Sequence, residues 1–232
     1  LSLKLGELQR RLREKKIPVF ILVEGWQASE KGRIMNQLLL GLDSRGYGYA
    51  SFLDLREAYG NIPLLGPLWQ QEPENGRISI VETDWYRGVY QVRYGQFKDR
   101  VVDLMAFYRD LNAFEKQFVE SGVLLLKFFF HIDKKTQKKR LTRMAEDPAV
   151  AWTVTDAAWQ ENQEYDRYFS CAQEYIQNTQ TPFTSWNIIP ATDFEFSAHQ
   201  MLHIFVPAAE AYLTNPPTFV RPIPYHEGDT VQ

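Results

Sequence analysis

The chain has 232 residues, with 26 Lys and Arg against 29 Asp and Glu and a formal net charge of −3. Its length fits one large domain, and the lack of a basic excess argues against a protein that coats nucleic acid. An apolar fraction of 44%, with 14% aromatic residues, is enough for a substantial core and excludes a disordered chain. The single cysteine, Cys171, excludes an internal disulfide and indicates a reducing, cytoplasmic setting.

The predicted elements alternate between helices and strands along the chain. Leu5, Leu8 and Leu12 mark one face of a first helix, and the apolar run Ile17–Val23 is typical of a strand buried on both faces. Further strands are predicted at residues 49–55, 76–81, 123–132 and 186–189, and further helices at residues 34–42, 63–71, 99–121, 134–145, 155–178 and 193–213. This alternation predicts an α/β fold with three layers, α/β/α, around a mainly parallel sheet of about five strands.

The two ends of the sequence suggest a domain with a tail. The N-terminus lacks both an initiator Met and the apolar core of a signal peptide, and no segment reaches the roughly 20 apolar residues of a membrane-spanning helix. We therefore expect no membrane partner. Residues 1–213 are predicted to fold, whereas residues 214–232, which contain four prolines, are predicted to form an extended linker that leads to a further part.

The segment GWQASEKG, residues 25–32, lies between the first predicted strand and the next helix. It has the outline of the phosphate-binding loop G-x-x-x-x-G-K-[ST], in which backbone N–H groups and a lysine meet phosphate oxygens. Glu30 stands at the second glycine position, where a carboxylate about 5 Å from a phosphate charge costs ~3 kcal/mol. A capped helix that binds nothing is therefore the alternative. The phosphate-binding candidates are Gly25, Gln27, Lys31 and Gly32.

Five segments follow the motifs of one family in order. Residues 24–32 follow E-G-x-D-A-A-G-K-G, residues 43–46 follow D-P-R-G, residues 68–70 follow L-W-R, residues 76–86 follow G-x-I-x-I-F-D-R-S-W-Y, and residues 127–140 follow K-F-x-L-H-I-S-x-x-x-Q-x-x-R. On these motifs the chain resembles the polyphosphate kinase 2 family, P-loop phosphotransferases that move phosphate between inorganic polyphosphate and nucleotides. The resemblance implies a P-loop kinase-type fold, a Mg²⁺ cofactor, polyphosphate and AMP or ADP as substrates, and a homo-oligomer.

The departures from the family motifs lie where the chemistry should be. Where the motifs have two aspartates for Mg²⁺ and an arginine for phosphate, this chain has Gln27, Glu82 and Thr83. Glu82 is then the one Mg²⁺ candidate, and the catalytic candidates, vestigial or weak, are Lys31, Glu82 and Arg140. Because phosphoryl transfer rests on positioning and charge stabilisation, such losses weaken it directly. The pattern resembles the degenerate half of two-domain polyphosphate:AMP phosphotransferases and implies a second, intact domain, fused or associated, as partner.

A cationic run follows the fourth predicted strand, in register with the lid of the family. Its members, predicted to attract a polyanion, are Lys134, Lys135, Lys138, Lys139 and Arg140. The alternative is an ordinary solvated helix face. Three functions stay open: a non-catalytic structural or regulatory domain of a phosphotransferase, an active polyphosphate kinase that uses the three catalytic candidates, and a module that binds polyphosphate or nucleotide without turnover.

One further pair has the spacing of metal ligands. His199 and His203 lie one helical turn apart in the last predicted helix. Since no carboxylate-rich or cysteine motif accompanies them, the sequence favours a pair of surface residues.

Overall fold

The computed structural model describes residues 2–52, 65–95 and 103–216. In this part of the chain nine α-helices and five strands follow one another, with short 3₁₀ turns at Ser44–Gly46 and Ala151–Thr153. The elements are α1 Ser2–Glu14, β1 Val19–Gly25, α2 Lys31–Leu39, β2 Tyr47–Phe52, α3 Gly66–Trp69, β3 Ile78–Thr83, α4 Trp85–Arg93, α5 Leu104–Ser121, β4 Leu124–His131, α6 Lys134–Glu146, α7 Asp156–Gln163, α8 Tyr165–Thr179, β5 Trp186–Pro190 and α9 Phe194–Thr214.

The strands form one parallel sheet in the order β2-β3-β1-β4-β5. Helices α1, α2 and α9 pack together on one face of it, and α4, α5 and α8 pack on the other. This arrangement confirms the predicted three-layer fold with five parallel strands. Strand β1 lies at the centre and is buried along its whole length, which explains the apolar run from Val19 to Val23.

The position of β1 also places the loop that follows it. Because parallel strands end at the same edge of a sheet, this loop lies beside the residues that follow β3 and β4. The register sets Val23 opposite Glu82, and Gly25 opposite Phe130. Among the helices of the described residues, none combines the length and the apolar character needed to cross a membrane.

Some element bounds differ from the predicted ones. The predicted helix 155–178 is two helices, because the chain breaks at Glu164 (φ −101°, ψ 28°). Helix α4 has no counterpart in the prediction, and β2 begins two residues earlier than expected. The predicted bounds at residues 53–55, 63–64 and 99–102 lie outside the described residues, as does most of the predicted linker.

Candidate active site

The chain from the end of β1 to the start of α2 contains three residues with positive φ angles. Gly25 (φ 149°) cannot be replaced without a clash, since a Cβ there would lie 2.6 Å from the carbonyl oxygen of Phe130. Ala28 (φ 59°) and Glu30 (φ 64°) adopt left-handed conformations. The chain thus keeps the loop shape at position 30 with a glutamate, at a cost of roughly 1–2 kcal/mol for a residue with a Cβ.

Lys31, the first residue of α2, points back under this loop and is buried. Its Nζ donates to the carbonyl oxygen of Gly25 at 3.0 Å and to Oδ1 of Asp84 at 2.8 Å, and lies 3.4 Å from Oε1 of Glu82. Burial alone would lower the pKa of Lys31, but the charges of Asp84 and Glu82 raise it above its ordinary value. The ammonium is therefore firmly charged, and it is already paired within the protein.

Asp84 was missed by the sequence analysis, although it is the closest ionic partner of Lys31. Its second oxygen, Oδ2, accepts from Nε2 of Gln27 at 3.0 Å and from Nη1 of Arg87 at 3.2 Å. A usable signal existed in the sequence. Alternate residues of a strand share a face, so the residue two positions after Glu82 is expected on the same side of the sheet.

Glu161 of α7 is the second carboxylate that the sequence analysis missed. Its Oε1 accepts from the backbone N–H of Gln27 at 2.9 Å and from Nε2 of Gln137 at 2.7 Å, while Oε2 accepts from the hydroxyl of Tyr86 at 3.0 Å. Burial raises its pKa to about 7, against the lowering effect of Arg87. The N–H group of Gln27 in the loop is thus hydrogen-bonded to a carboxylate of the protein itself.

Glu24, at the end of β1, lies beneath the loop and is fully buried. Its Oε1 accepts from Oγ1 of Thr83 at 2.6 Å and from the backbone N–H of Trp85 at 3.0 Å. Burial, followed by the charge of Asp84, raises its pKa to about 8. Thr83, at the position of the family arginine, therefore forms a buried hydrogen bond with Glu24.

Helix α6 carries the predicted lid residues. Its guanidinium group at Arg140 donates to three backbone carbonyl oxygens, of Ala28 at 3.1 Å and of Ala191 and Thr192 at 2.8 Å each. The four predicted lid lysines, Lys134, Lys135, Lys138 and Lys139, are exposed. The structure therefore brings Arg140 to the loop as a tie between backbone segments and leaves the lysines in solvent.

The carboxylate of Glu30 is also neutralised within the protein. Oε1 lies 3.1 Å from Nη2 of Arg143, and Oε2 lies 3.2 Å from Nη1 of Arg33. Gly32 lies in the exposed first turn of α2, where an added Cβ would meet nothing. Of the predicted phosphate-binding residues, Gly25, Gln27 and Lys31 are thus engaged by the protein itself, and Gly32 faces open space.

The family model of Polyphosphate kinase 2 (PPK2) matches residues 1–216 of this sequence. The chain belongs to the PPK2 family. A PPK2 crystal structure from Arthrobacter aurescens TC1 shares the fold, with a TM-score of 0.81 at 20% identity over 96% of this chain and 80% of that one.

Curated relatives are similar to this chain over most of its length. A polyphosphate:AMP phosphotransferase from Pseudomonas syringae is 27% identical over 89% of this chain and 42% of its own length. An AMP/ADP-polyphosphate phosphotransferase from Meiothermus ruber is 27% identical over 90% of this chain and 79% of its own length. The chain thus spans less than half the length of the first relative and most of the second.

The resemblance to PPK2 implies Mg²⁺, and the carboxylates of the site do not fit it. Mg²⁺ requires oxygen ligands in near-octahedral geometry. Glu82 faces Lys31 with one oxygen and accepts the hydroxyl of Tyr49 at 2.6 Å with the other, and both oxygens of Asp84 are taken by side-chain donors. Within residues 2–52, 65–95 and 103–216, no group of three or more His, Cys, Asp or Glu is placed to hold a metal ion.

Proposed function

We propose that this chain is the non-catalytic domain of a polyphosphate-dependent nucleotide phosphotransferase of the polyphosphate-plus-AMP type. In this proposal it has a structural or regulatory role beside a second, intact PPK2 domain, either fused to it or associated with it. The observation that carries the proposal is the pairing of Lys31 with Asp84 at 2.8 Å. The loop lysine that would meet phosphate instead neutralises a carboxylate of its own chain.

The neighbouring contacts support the same conclusion. The backbone N–H of Gln27, which a phosphate oxygen would need, donates to Glu161. Glu30 pairs with Arg143, one of the cations of α6. Two donors of the loop, the N–H of Gln27 and Nζ of Lys31, are therefore paired with internal carboxylates, which a phosphate would have to displace.

That displacement is costly. Removing one partner of a buried ion pair costs roughly 3–5 kcal/mol, because the other charge is left buried and unpaired. A phosphate charge about 5 Å from the carboxylate of Asp84 adds ~3 kcal/mol of repulsion at an effective dielectric of 20. Either cost by itself weakens phosphate binding by more than 100-fold.

The length of the relatives also supports a role beside a second domain. Polyphosphate:AMP phosphotransferases from two Pseudomonas species match this chain over 42% of their own length. That share leaves room in each of them for a further domain of similar size. For this chain we propose the same substrates for the complete enzyme, with polyphosphate and AMP or ADP handled by the intact domain.

The decisive experiment measures ADP formation from AMP, polyphosphate and Mg²⁺ by the 232-residue chain, next to its Lys31→Ala variant. We expect no difference in ADP formation between the unchanged chain and the variant, since Lys31 is paired with Asp84. The Meiothermus ruber relative, an AMP/ADP-polyphosphate phosphotransferase, is the positive control. Lysine-dependent ADP formation would overturn the proposal in favour of an active kinase that uses Lys31, Glu82 and Arg140.

Binding of labelled polyphosphate separates the remaining alternative. Saturable binding without turnover would identify a binding module, whereas we expect none. A variant that restores the family motif D-R-S at positions 82–84 (Glu82→Asp, Thr83→Arg, Asp84→Ser) removes the carboxylate at position 84, which pairs with Lys31. We expect this variant, unlike the unchanged chain, to bind polyphosphate saturably.

A further inference from the structure

The exposed face of α9 carries two histidines whose ring nitrogens approach each other closely. Nε2 of His199 and Nε2 of His203 lie 3.0 Å apart, with the ring centroids 4.0 Å apart and the planes tilted by 45°. The residues are four positions apart in a helix of 21 residues, so their side chains project from the same face. The geometry of α9 therefore holds two nitrogen ligands side by side at the surface.

This separation matches that of two imidazoles on one metal ion. Metal–nitrogen bonds of about 2.0–2.1 Å with angles between 90° and 109° place the two nitrogens about 2.9–3.4 Å apart. We propose that His199 and His203 form a binding site for a divalent transition metal ion, such as Cu²⁺, Ni²⁺ or Zn²⁺. The ion takes the place of the hydrogen bond between the two nitrogens.

The groove beside the pair leaves room for further ligands. It has a volume of about 390 Å³ and is lined by Gln37 of α2 and by Glu195 and His199 of α9, among others. Glu195 lies one turn before His199, on the same helix face. The two imidazoles thus supply one side of the coordination sphere, and water or an incoming oxygen ligand fills the side that faces the groove.

The ligand type selects the class of metal. Imidazole nitrogens suit Cu²⁺, Ni²⁺ and Zn²⁺, whereas Mg²⁺ and Ca²⁺ prefer oxygen ligands. The Irving–Williams order predicts that Cu²⁺ binds more tightly than Ni²⁺ or Zn²⁺. This site is separate from the loop between β1 and α2, and its metal class differs from the Mg²⁺ of the family.

Isothermal titration of the tag-free, chelator-treated chain with CuCl₂, NiCl₂, ZnCl₂ and MgCl₂ tests the site. We expect one Cu²⁺, Ni²⁺ or Zn²⁺ per chain and no binding of Mg²⁺. His199→Asn and His203→Asn each lower the affinity by roughly 10- to 100-fold or more, since loss of a mere supporting group already costs that much. The electron paramagnetic resonance spectrum of the Cu²⁺ form shows coupling to nitrogen that either variant reduces.

Two control variants test whether the spacing of the two histidines, rather than the number of histidines, determines metal binding. The double variant His203→Gln with Gln200→His has the same composition but places adjacent residues on different faces of α9. It loses the site, whereas His226→Asn, a histidine elsewhere in the sequence, keeps it. Circular dichroism confirms that the variants are folded. The proposal would be overturned if the rearranged variant bound Zn²⁺ and Cu²⁺ as tightly as the unchanged chain does. It would also be overturned if the unchanged chain showed no saturable binding.

Discussion

At the scale of single residues, Glu30 combines an unfavourable backbone with favourable charge pairs. Its left-handed conformation (φ 64°) is one that glycine adopts without strain. Its carboxylate pairs with Arg33 and Arg143, both largely exposed, and such pairs contribute about 0–1 kcal/mol. The backbone cost and the charge pairs can therefore be separated by two substitutions.

Glu30→Gly removes both the strain and the charge, whereas Glu30→Gln removes the charge alone. We expect Glu30→Gly to be more stable than Glu30→Gln by roughly 0.5–1 kcal/mol, because relief of ~1–2 kcal/mol of strain exceeds the extra chain entropy of glycine. Urea unfolding of the two variants measures the difference. A Glu30→Gln variant at least as stable as Glu30→Gly would show that the loop backbone stores no strain.

Residue types around the loop were predictable, but their partners were not. The sequence predicts Gly25 and Lys31 at the turn between the first strand and the next helix, and the structure has them there, whereas their role in phosphate binding stays a prediction. Glu161 lies 134 positions from Gln27, and only the packing of α7 brings it to the loop. The family motif predicts a functional carboxylate at position 82 and has a serine at position 84, so it gives no signal for Asp84.

At the scale of elements, a buried ion pair ties α5 to β4. Nζ of Lys127 donates to Oε2 of Glu115 at 2.8 Å and to the carbonyl oxygen of Thr179 at 2.6 Å, and both charged side chains are almost fully buried. Burial raises the pKa of Glu115 to about 7 despite the nearby ammonium. The pair therefore fixes the helix on the sheet at a high desolvation cost.

Replacing only one residue of this ion pair is expected to lower the free energy of unfolding strongly. Lys127→Met or Glu115→Leu alone is expected to destabilise the fold by roughly 3–5 kcal/mol, because each leaves a buried polar group without its partner. The double variant is expected to cost less than either single one. Denaturant unfolding of all three tests this, with Lys116→Met as the control, since Lys116 pairs with Glu120 on the surface of the same helix. Additive costs in the double variant would contradict the coupling.

The strands were easier to predict than the helices around them. Strands β1 and β4 are mostly apolar and buried on both faces, with Glu24 and Lys127 as buried charged residues, and such a run has few alternatives to a central strand. Helix α4 begins after Asp84 with aromatic residues that also suit a strand, so local sequence does not distinguish the two. The break at Glu164 lies in a segment of continuous helical pattern, and tertiary contacts such as that of Tyr165 with Ile132 set the second helix apart.

At the scale of the whole molecule, buried acids link stability to pH. Burial raises the pKa of Glu24 to about 8, from an ordinary value of 4.5. Between these values the folded protein holds a proton that the unfolded chain releases, so this contribution is full at low pH and is lost as the pH rises toward 8. Glu115 and Glu161 act in the same direction, and the lowered pKa of His131 acts in the opposite one.

Glu24→Gln is therefore expected to flatten the fall in the free energy of unfolding between about pH 5 and 8. Its amide oxygen can still accept from Thr83 and Trp85, so the variant keeps the fold. Urea titrations at several pH values measure the slope. Asp43→Asn is the control, because the pKa of Asp43 is lowered by its hydrogen bonds to Arg45, which confines its effect to more acidic solutions. An unchanged slope in Glu24→Gln would show that Glu24 holds no proton there.

The glycine at position 25 is required by packing between strands. The oxygen of Phe130 leaves no space for any side chain at this position, whether or not a ligand ever reaches the loop. A form of this chain that bound no phosphate would still need a glycine at position 25, because the neighbouring strand β4 leaves no space for a side chain. A glycine at this position of a sequence therefore reflects the close approach of β1 to β4 and does not by itself indicate that the loop binds phosphate.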